Sequence, residues 1–247
     1  MDVVRCENAG IRFERGSPRH LVAASLRRLL RPRAPRDAAG FWALRKLSFA
    51  IPAGARVGVC GGNGAGKTTL MRLLCGIYAP DEGVLRVEGR TSTLLSVGAG
   101  ISAQLSGREN VLVSGALYGL TRRQIRERYD EIAAFAELDE ATLRTPVRYY
   151  SAGMRTRLGF AIATTLTPDI LLLDEVLATG DVAFRRKSTE RLRQLADRAR
   201  CLVVASHNLA FLREHVELVL WLERGRQLAF GPAGAVLDDY ARSLASR

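Results

Sequence analysis

Apolar positions along this chain change rhythm several times, and each rhythm predicts an element. Residues 2–13 (DVVRCENAGIRF) and 42–54 (WALRKLSFAIPAG) carry β-like stretches broken by Asn, Gly and Pro, which predict short strands. RVGVC at 56–60 reads as a short apolar strand running into a glycine-rich loop. KTTLMRLLC follows as a helix that stops at Gly76, with a Pro-Asp-Glu-Gly turn just beyond. From about 103 to 165 the spacing turns helical, in ENVLVSGALYGL, in TRRQIRERYDEIAAFAEL and in the segment after Ser151. Thr121 is placed as an N-cap, with Gln124 as its box partner. DILLLDEV and CLVVAS are continuous apolar runs, as expected of strands buried on both faces. Between them Leu192, Leu195, Ala196 and Ala199 repeat at helical spacing. LVLWLERGRQLAF predicts a hairpin turning at Arg224-Gly225, and AVLDDYARSL a last helix. Strands alternating with helices around a glycine loop predict a parallel α/β core. The antiparallel front and the helical middle are additions to it.

One segment stands apart from this pattern. Residues 16–40, bounded by glycine and proline, form a basic insertion in which Val22, Leu26, Leu29 and Leu30 share a helical face while Arg27, Arg28 and Arg31 fall largely elsewhere. Such a stretch suits contact with anionic lipid headgroups or with a membrane subunit, or equally a solvated arm.

Composition changes little. A chain of 247 residues that is 47% hydrophobic and 25% charged is ordinary for a soluble globular protein. The formal charge of +12 is almost all arginine, the lysines being Lys46, Lys67 and Lys187. That balance suits nucleic acid or an anionic membrane surface, or equally an arginine-rich solvated surface. Cys6, Cys60, Cys75 and Cys201 show no metal-ligand spacing, and the apolar neighbours of Cys60 and Cys201 predict buried thiols in a reducing compartment. The chain shows no secretory leader and no run of the ~18 apolar residues that cross a bilayer, so a membrane role is expected to come through a partner.

The chemistry is concentrated in a few places. Gly61, Gly62, Asn63, Gly64, Ala65, Gly66, Lys67, Thr68 and Thr69 match the phosphate-binding loop in full. Glycines let backbone N–H groups converge on anionic oxygens, and the following helix adds its positive end. Lys67 is expected to hold the β- and γ-phosphates of ATP, and Thr68 to offer its hydroxyl to Mg²⁺. Asp174, after ILLL, sits where a strand end delivers a carboxylate to that metal. Glu175 beside it is a candidate for polarising the attacking water. His207 ends the next apolar strand, which is expected to lie beside that of Asp174 and so to bring the imidazole near the γ-phosphate. Ser151 and Gly153 open a helix of the middle region, where hydroxyl and amides can serve an anion or simply cap the helix. If they serve the same nucleotide, they do so from a second copy of the chain, arranged head-to-tail.

These residues, in this order, resemble the ATPase subunit of ABC transporters from Val3 to about Gly231. The resemblance implies an ABC ATPase fold of class α/β: a P-loop NTPase core with a parallel sheet, an N-terminal antiparallel β subdomain and an inserted α-helical subdomain at about 103–165, all in one nucleotide-binding domain over 1–247. The family's LSGGQ-type signature stands here as Tyr150-Ser151-Ala152-Gly153-Met154. By the same resemblance Glu175 is the catalytic carboxylate, His207 the switch histidine, and Asp181 in LATGD the dimer-facing aspartate. Phe13 is similar in placement to the aromatic that stacks on adenine, with Phe41 and Trp42 as competitors. The family's metal-sensing glutamine is missing; Ser96 aligns there, and Gln104 lies a little further on.

YSAGM, DEVLATGD, FWAL and VGAG…LSGRENV together resemble the branch that exports polysaccharides such as O-antigen, capsule and teichoic acid. That branch implies a homodimer on the cytoplasmic face of the bacterial plasma membrane. It also implies an integral membrane permease partner and a lipid-linked polysaccharide as cargo. No C-terminal carbohydrate-binding domain is expected. The alternatives are an ABC export ATPase for another cargo, and a soluble nucleic-acid-associated ABC ATPase. The short distance between the two nucleotide motifs and the single cassette weigh against nucleic acid.

Overall fold

The computed structural model describes residues 1–14, 40–93, 100–174 and 182–245. Most of the basic insertion, Ser96, Glu175 and Asp181 lie outside the described residues. The described chain divides into two compact units: 1–14, 40–93, 172–174 and 200–245 form one, and 100–171 with 182–199 the other.

The first unit holds an antiparallel sheet in the order β2-β1-β4, made of β1 (Asp2–Glu14), β2 (Gly40–Pro52) and β4 (Glu82–Val87). The asparagine expected to interrupt the first strand does not end it. Asn8 takes a left-handed φ of 48° inside β1, and Lys46 one of 53° in β2. The pairing shifts register around Cys6 to Ala9 and continues. Asn tolerates that conformation better than most residues, and Ser48 Oγ accepts the Asn8 N–H at 2.9 Å. The kink becomes a bulge in one long strand.

The second sheet runs β5-β6-β7-β3-β8-β9, with β3 (Arg56–Cys60), β5 (Thr91–Thr93), β6 (Ile170–Leu173), β7 (Cys201–Ala205), β8 (Leu218–Glu223) and β9 (Arg226–Pro232). β3 is parallel to both β7 and β8, while β8 and β9 form the antiparallel hairpin that turns at Arg224 and Gly225. β3, β6 and β7 are apolar because they are central. The short strands β4 and β5 escape the sequence reading, because β4 begins inside the Pro-Asp-Glu-Gly turn and β5 is three hydroxyl residues long. On one side of β3, α7 (Leu209–His215) and α8 (Ala233–Ala245) pack Leu212, Val216, Val236 and Leu237 against Cys60 and Val219.

The helical unit contains α2 (Gly107–Leu117), α3 (Arg122–Ala136), α4 (Glu140–Leu143), a 3₁₀ turn (Val147–Tyr149), α5 (Ala152–Ala163) and α6 (Val182–Arg198); α1 (Lys67–Leu74) belongs to the first unit. α3 begins as the sequence indicates: Thr121 Oγ1 accepts from Gln124 N–H at 3.3 Å, and Gln124 Oε1 from Thr121 N–H at 2.9 Å. Its buried face carries Ile125 and Ile132, 1% and 2% exposed, each contributing about 1.5–3 kcal/mol of burial.

α2 is inside out. Its inward face is Gly107, Asn110, Val111, Ser114 and Gly115, while Leu112, Val113 and Leu117 face outward at 43%, 43% and 71% exposure. The reason is local. Gly107 and Gly115 admit close neighbours, since a Cβ on either would meet the Tyr150 hydroxyl at 2.3 Å or Ile125 at 2.9 Å. The fully buried Asn110 amide donates to the carbonyls of Ser102, Leu105 and Ser106 and accepts from Ser102 N–H at 2.7 Å. It ties down the loop that enters the helix.

Two caps make this unit acid-sensitive. The Ser106 hydroxyl and N–H hold Glu109 below its ordinary 4.5, and the Thr142 hydroxyl and N–H lower Asp139 below 3.8. Both folded pKa values lie under the unfolded ones, so their stabilisation is complete above the unfolded values and is lost as pH falls through the folded ones. Far-UV circular dichroism is expected to show helical stability declining below about pH 4.5. In Glu109→Gln, which keeps a box-forming side chain, that decline should be shallower.

Cys60 and Cys201 are buried as the sequence suggests. Cys6, Cys60 and Cys201 are buried and Cys75 half-buried, none in a disulfide. Burial pushes Cys60 and Cys201 up to about 12, so both stay protonated and unreactive near neutrality.

Candidate nucleotide-binding site

Residues 61–66 connect the C-terminal end of β3 to the N-terminus of α1. Two glycines are required by geometry. Gly61 has φ 145°, and a Cβ there would sit 2.2 Å from the Leu222 carbonyl oxygen; Gly66 has φ 108° and would meet the Ala43 carbonyl oxygen at 2.9 Å. Gly66 is also the N-cap of α1 and offers no side-chain cap. The first-turn N–H groups, which have no intrahelical partner, are left to an anion. The loop is closed from outside: Gly225 N–H donates to Ala65 O at 2.9 Å, and Arg45 N–H to Gly225 O at 2.8 Å.

Lys67 folds over the loop, its Nζ donating to Gly61 O at 2.7 Å and Gly62 O at 3.2 Å. Thr68 Oγ1 donates to Asp174 Oδ2 at 3.2 Å. Strand order explains the meeting, because Asp174 follows β6 at the sheet edge where β3 delivers the loop. A hydroxyl and a carboxylate are hard oxygen donors, too few to enclose an ion, and suit a Mg²⁺-like cation that keeps water and phosphate ligands. Among the described residues no group of three or more His, Cys, Asp or Glu side chains could hold a metal by itself.

The strand neighbours expected for the His207 strand are found. β7 lies between β6 and β3, Val59 is level with Ala205, and Ser206 N–H donates to Val59 O at 3.2 Å. The exposed imidazole is thus carried two residues past the strand, at the level of the loop's start. Phe13 and Phe41 are cross-strand partners stacked at 5.7 Å, and Tyr78 meets Phe13 edge-on at 5.6 Å. Phe41 is 59% exposed, and Trp42 carries the Arg45 guanidinium at 5.1 Å. A groove of about 350 Å³, lined by Leu73, Cys75, Tyr78, Pro80 and Leu85 among others, lies toward the far end of α1 and includes no loop residue.

Ser151 and Gly153 are in the helical unit. Ser151 is the N-cap of α5, its Oγ accepting Met154 N–H at 3.1 Å. Gly153 is exposed with no positive φ, and a Cβ there would meet only Ser151 Oγ at 3.8 Å. Nothing described in its own chain requires glycine at that position. Gln104 is exposed and accepts the Ser102 hydroxyl at 3.1 Å.

Sequence reasoning missed Gly225 and Tyr78. Gly225 was visible only as a hairpin turn, and nothing local to it indicates contact with the phosphate loop.

Comparison with known proteins agrees with this geometry. A family model described as ABC transporter matches residues 44–178, more than half of the chain. The chain is 42% identical over 219 residues to an O-antigen export system ATP-binding protein of Myxococcus xanthus, covering 89% of this chain and 50% of that protein. A protein of the same description from Klebsiella pneumoniae is 36% identical over 205 residues, 83% of each chain. A teichoic acids export ATP-binding protein of Bacillus anthracis is 34% identical over 209 residues, 85% of this chain and 38% of that one. The chain therefore spans half the length of the Myxococcus relative and most of the Klebsiella one. Among solved structures, an ATP-binding subunit of an ABC transporter superposes with TM-score 0.68 at 19% identity, covering 97% of this chain and 93% of that one. A dimeric ATP-binding cassette bound to ADP and Pi gives 0.66 at 18%, covering 93% and 98%. The fold is that of the ABC ATPases, and the chain belongs to the ABC transporter family, on the branch that includes these export ATP-binding proteins.

Proposed function

We propose that this chain is the ATP-hydrolysing subunit of an ABC exporter that moves a lipid-linked polysaccharide across a bacterial cytoplasmic membrane. It works on the cytoplasmic face as a homodimer with an integral membrane permease. The observation that carries the nucleotide part is the contact of Thr68 hydroxyl and Asp174 carboxylate beside the Lys67 loop. Export of a glycan is supported by the relatives named for O-antigen and teichoic acid export. Among the described residues no helix is long and apolar enough to cross a membrane, which suits a subunit that acts through a permease.

Each residue has a role in this reading. Lys67 and the first N–H groups of α1 hold the β- and γ-phosphates, and Phe13 stacks on the adenine within its aromatic cluster. Thr68 and Asp174 hold Mg²⁺, which when bound neutralises charge on the phosphates. Glu175 orients a water whose oxygen attacks the γ-phosphorus while the bond to the β–γ bridging oxygen breaks and ADP departs. His207 lies against the γ-phosphate, and Ser151 and Gly153 of a second copy complete the site. Asp181 faces the dimer partner. Fixed donors aimed at the developing charge supply the acceleration.

The test is Asp174→Asn. Losing the metal carboxylate removes several kcal/mol of charge stabilisation, so Mg²⁺-dependent ATP turnover should fall about 10²-fold or more. Nucleotide binding without Mg²⁺ should hold within about twofold. Turnover that survives would reject the site. Intact surface glycan after deletion of the gene would redirect the reading to another cargo.

A further inference from the structure

Among the described residues of the helical unit, one polar junction joins α3, α5 and α6. α3 ends at Glu137, which takes the left-handed conformation at φ 57° so that its N–H and that of Leu138 turn back to the carbonyls of Ala134 and Ala133. The last-turn carbonyls of Ala134 and Phe135 also receive a side chain. Lys187, on α6, reaches them. Its ammonium donates to Phe135 O at 3.1 Å and Ala134 O at 3.4 Å, pairs with Glu137 at 3.2 Å and lies 4.8 Å from the centre of the Phe135 ring. Arg157, on α5, pairs with the same Glu137 at 3.3 Å. Arg191, one turn beyond Lys187, pairs with Glu131 and also lies over Phe135, at 5.5 Å.

A part-exposed ion pair by itself contributes little. Here one ammonium combines it with two helix-terminal carbonyls, the negative end of a helix and an aromatic face. Apolar contact alone would not set the register of α6. Phe184, 1% exposed, meets Phe135 and Phe160 at 5.8 Å each, contacts that direct a helix to a surface without fixing its axial position. Lys187 follows Phe184 on the same helical face and supplies the directional bonds.

We propose that Lys187 is a positioning residue for catalysis. It fixes α6, which begins immediately after residues 175–181, to α3 and, through Glu137 and Arg157, to the helix that Ser151 starts. The segment that carries Glu175 and Asp181 thereby joins a helix whose place is set by Lys187. The geometry is independent of the proposed ATPase role; the catalytic consequence rests on it.

Two variants of the full chain test this, Lys187→Met, which keeps the stem, and Lys187→Arg, which keeps the charge. In Lys187→Met, kcat per folded molecule should fall about tenfold while KM for ATP stays within about twofold, since a displaced group costs turnover rather than ground-state binding. Amide exchange over residues 182–187 should rise about tenfold, with residues 56–74 unchanged. Lys187→Arg should restore most of the turnover. A lowered melting temperature with unchanged kcat would make Lys187 merely structural and overturn the proposal, as would unchanged exchange at the start of α6. Should the parent protein hydrolyse no ATP, the function proposed above fails, and the exchange comparison alone decides whether Lys187 holds α6.

Discussion

The Gly153→Asp protein is expected to melt no lower than its parent and to hydrolyse ATP at least about a hundredfold more slowly. The two halves of this result have separate causes. An added side chain has room, because its Cβ would meet only Ser151 Oγ at 3.8 Å, and the backbone there has no positive φ. Replacing glycine by aspartate in a helix removes a backbone penalty of roughly a few tenths of a kcal/mol. A carboxylate in the first turn of α5 interacts favourably with the helix N-terminus by about 0.3–1 kcal/mol. Folding should therefore gain, as calorimetry would show. Function should lose, because in the proposed dimer the same turn faces a triphosphate, and a negative charge there opposes the nucleotide at close range. A variant that is both more stable and fully active would remove Ser151 and Gly153 from the site.

Lys67→Met should produce an equally large loss for a different reason. The ammonium is the cation carried by the loop itself, and its bonds to Gly61 O and Gly62 O hold it at the start of that loop. Without it, turnover should fall about 10²–10³-fold, the cost typical of removing one fixed donor to developing charge. Together the two inactive proteins make a sharper test. A Lys67→Met chain retains an intact Ser151–Gly153 turn, and a Gly153→Asp chain retains an intact loop. If each nucleotide is shared between copies, a mixed dimer contains one site with both defects and one with neither. Random pairing should then restore about a quarter of the parent activity on mixing. Sites complete within single chains would give no recovery, and measuring phosphate release against mixing ratio separates the cases.

What could be read from the sequence follows from the distance over which each feature acts. The phosphate loop was legible because strand, glycines, lysine and helix are contiguous, and Gly61, Gly64 and Gly66 hold positive φ. Asp174 was legible as the polar end of a buried apolar run. The adjacency of β6 and β7, on which the placement of His207 depends, follows from parallel α/β topology and is found in the sheet order. Tyr78 and Gly225 were not legible, because each acts on a residue remote in the chain. α2 was legible as a helix but not in its orientation. Its apolar residues suggest a core face, whereas two glycines and a buried asparagine decide the packing. The bulge at Asn8 was misjudged as a break because a ladder can absorb one residue without ending. The roles of Glu175 and Asp181 rest on family resemblance, since neither is among the described residues.

The hydrogen bond from Gly225 to Ala65 also bears on how the protein is made. A ribosome delivers the glycine-rich stretch early, yet the turn that clasps it and both parallel neighbours of its strand come from the last quarter of the polypeptide. Non-local pairing of this kind is slow, and it cannot begin before those residues emerge. A nascent chain thus leaves the ribosome almost whole before it can grip a nucleotide, and a prematurely stopped product ending before Gly225 would lack the clasp altogether.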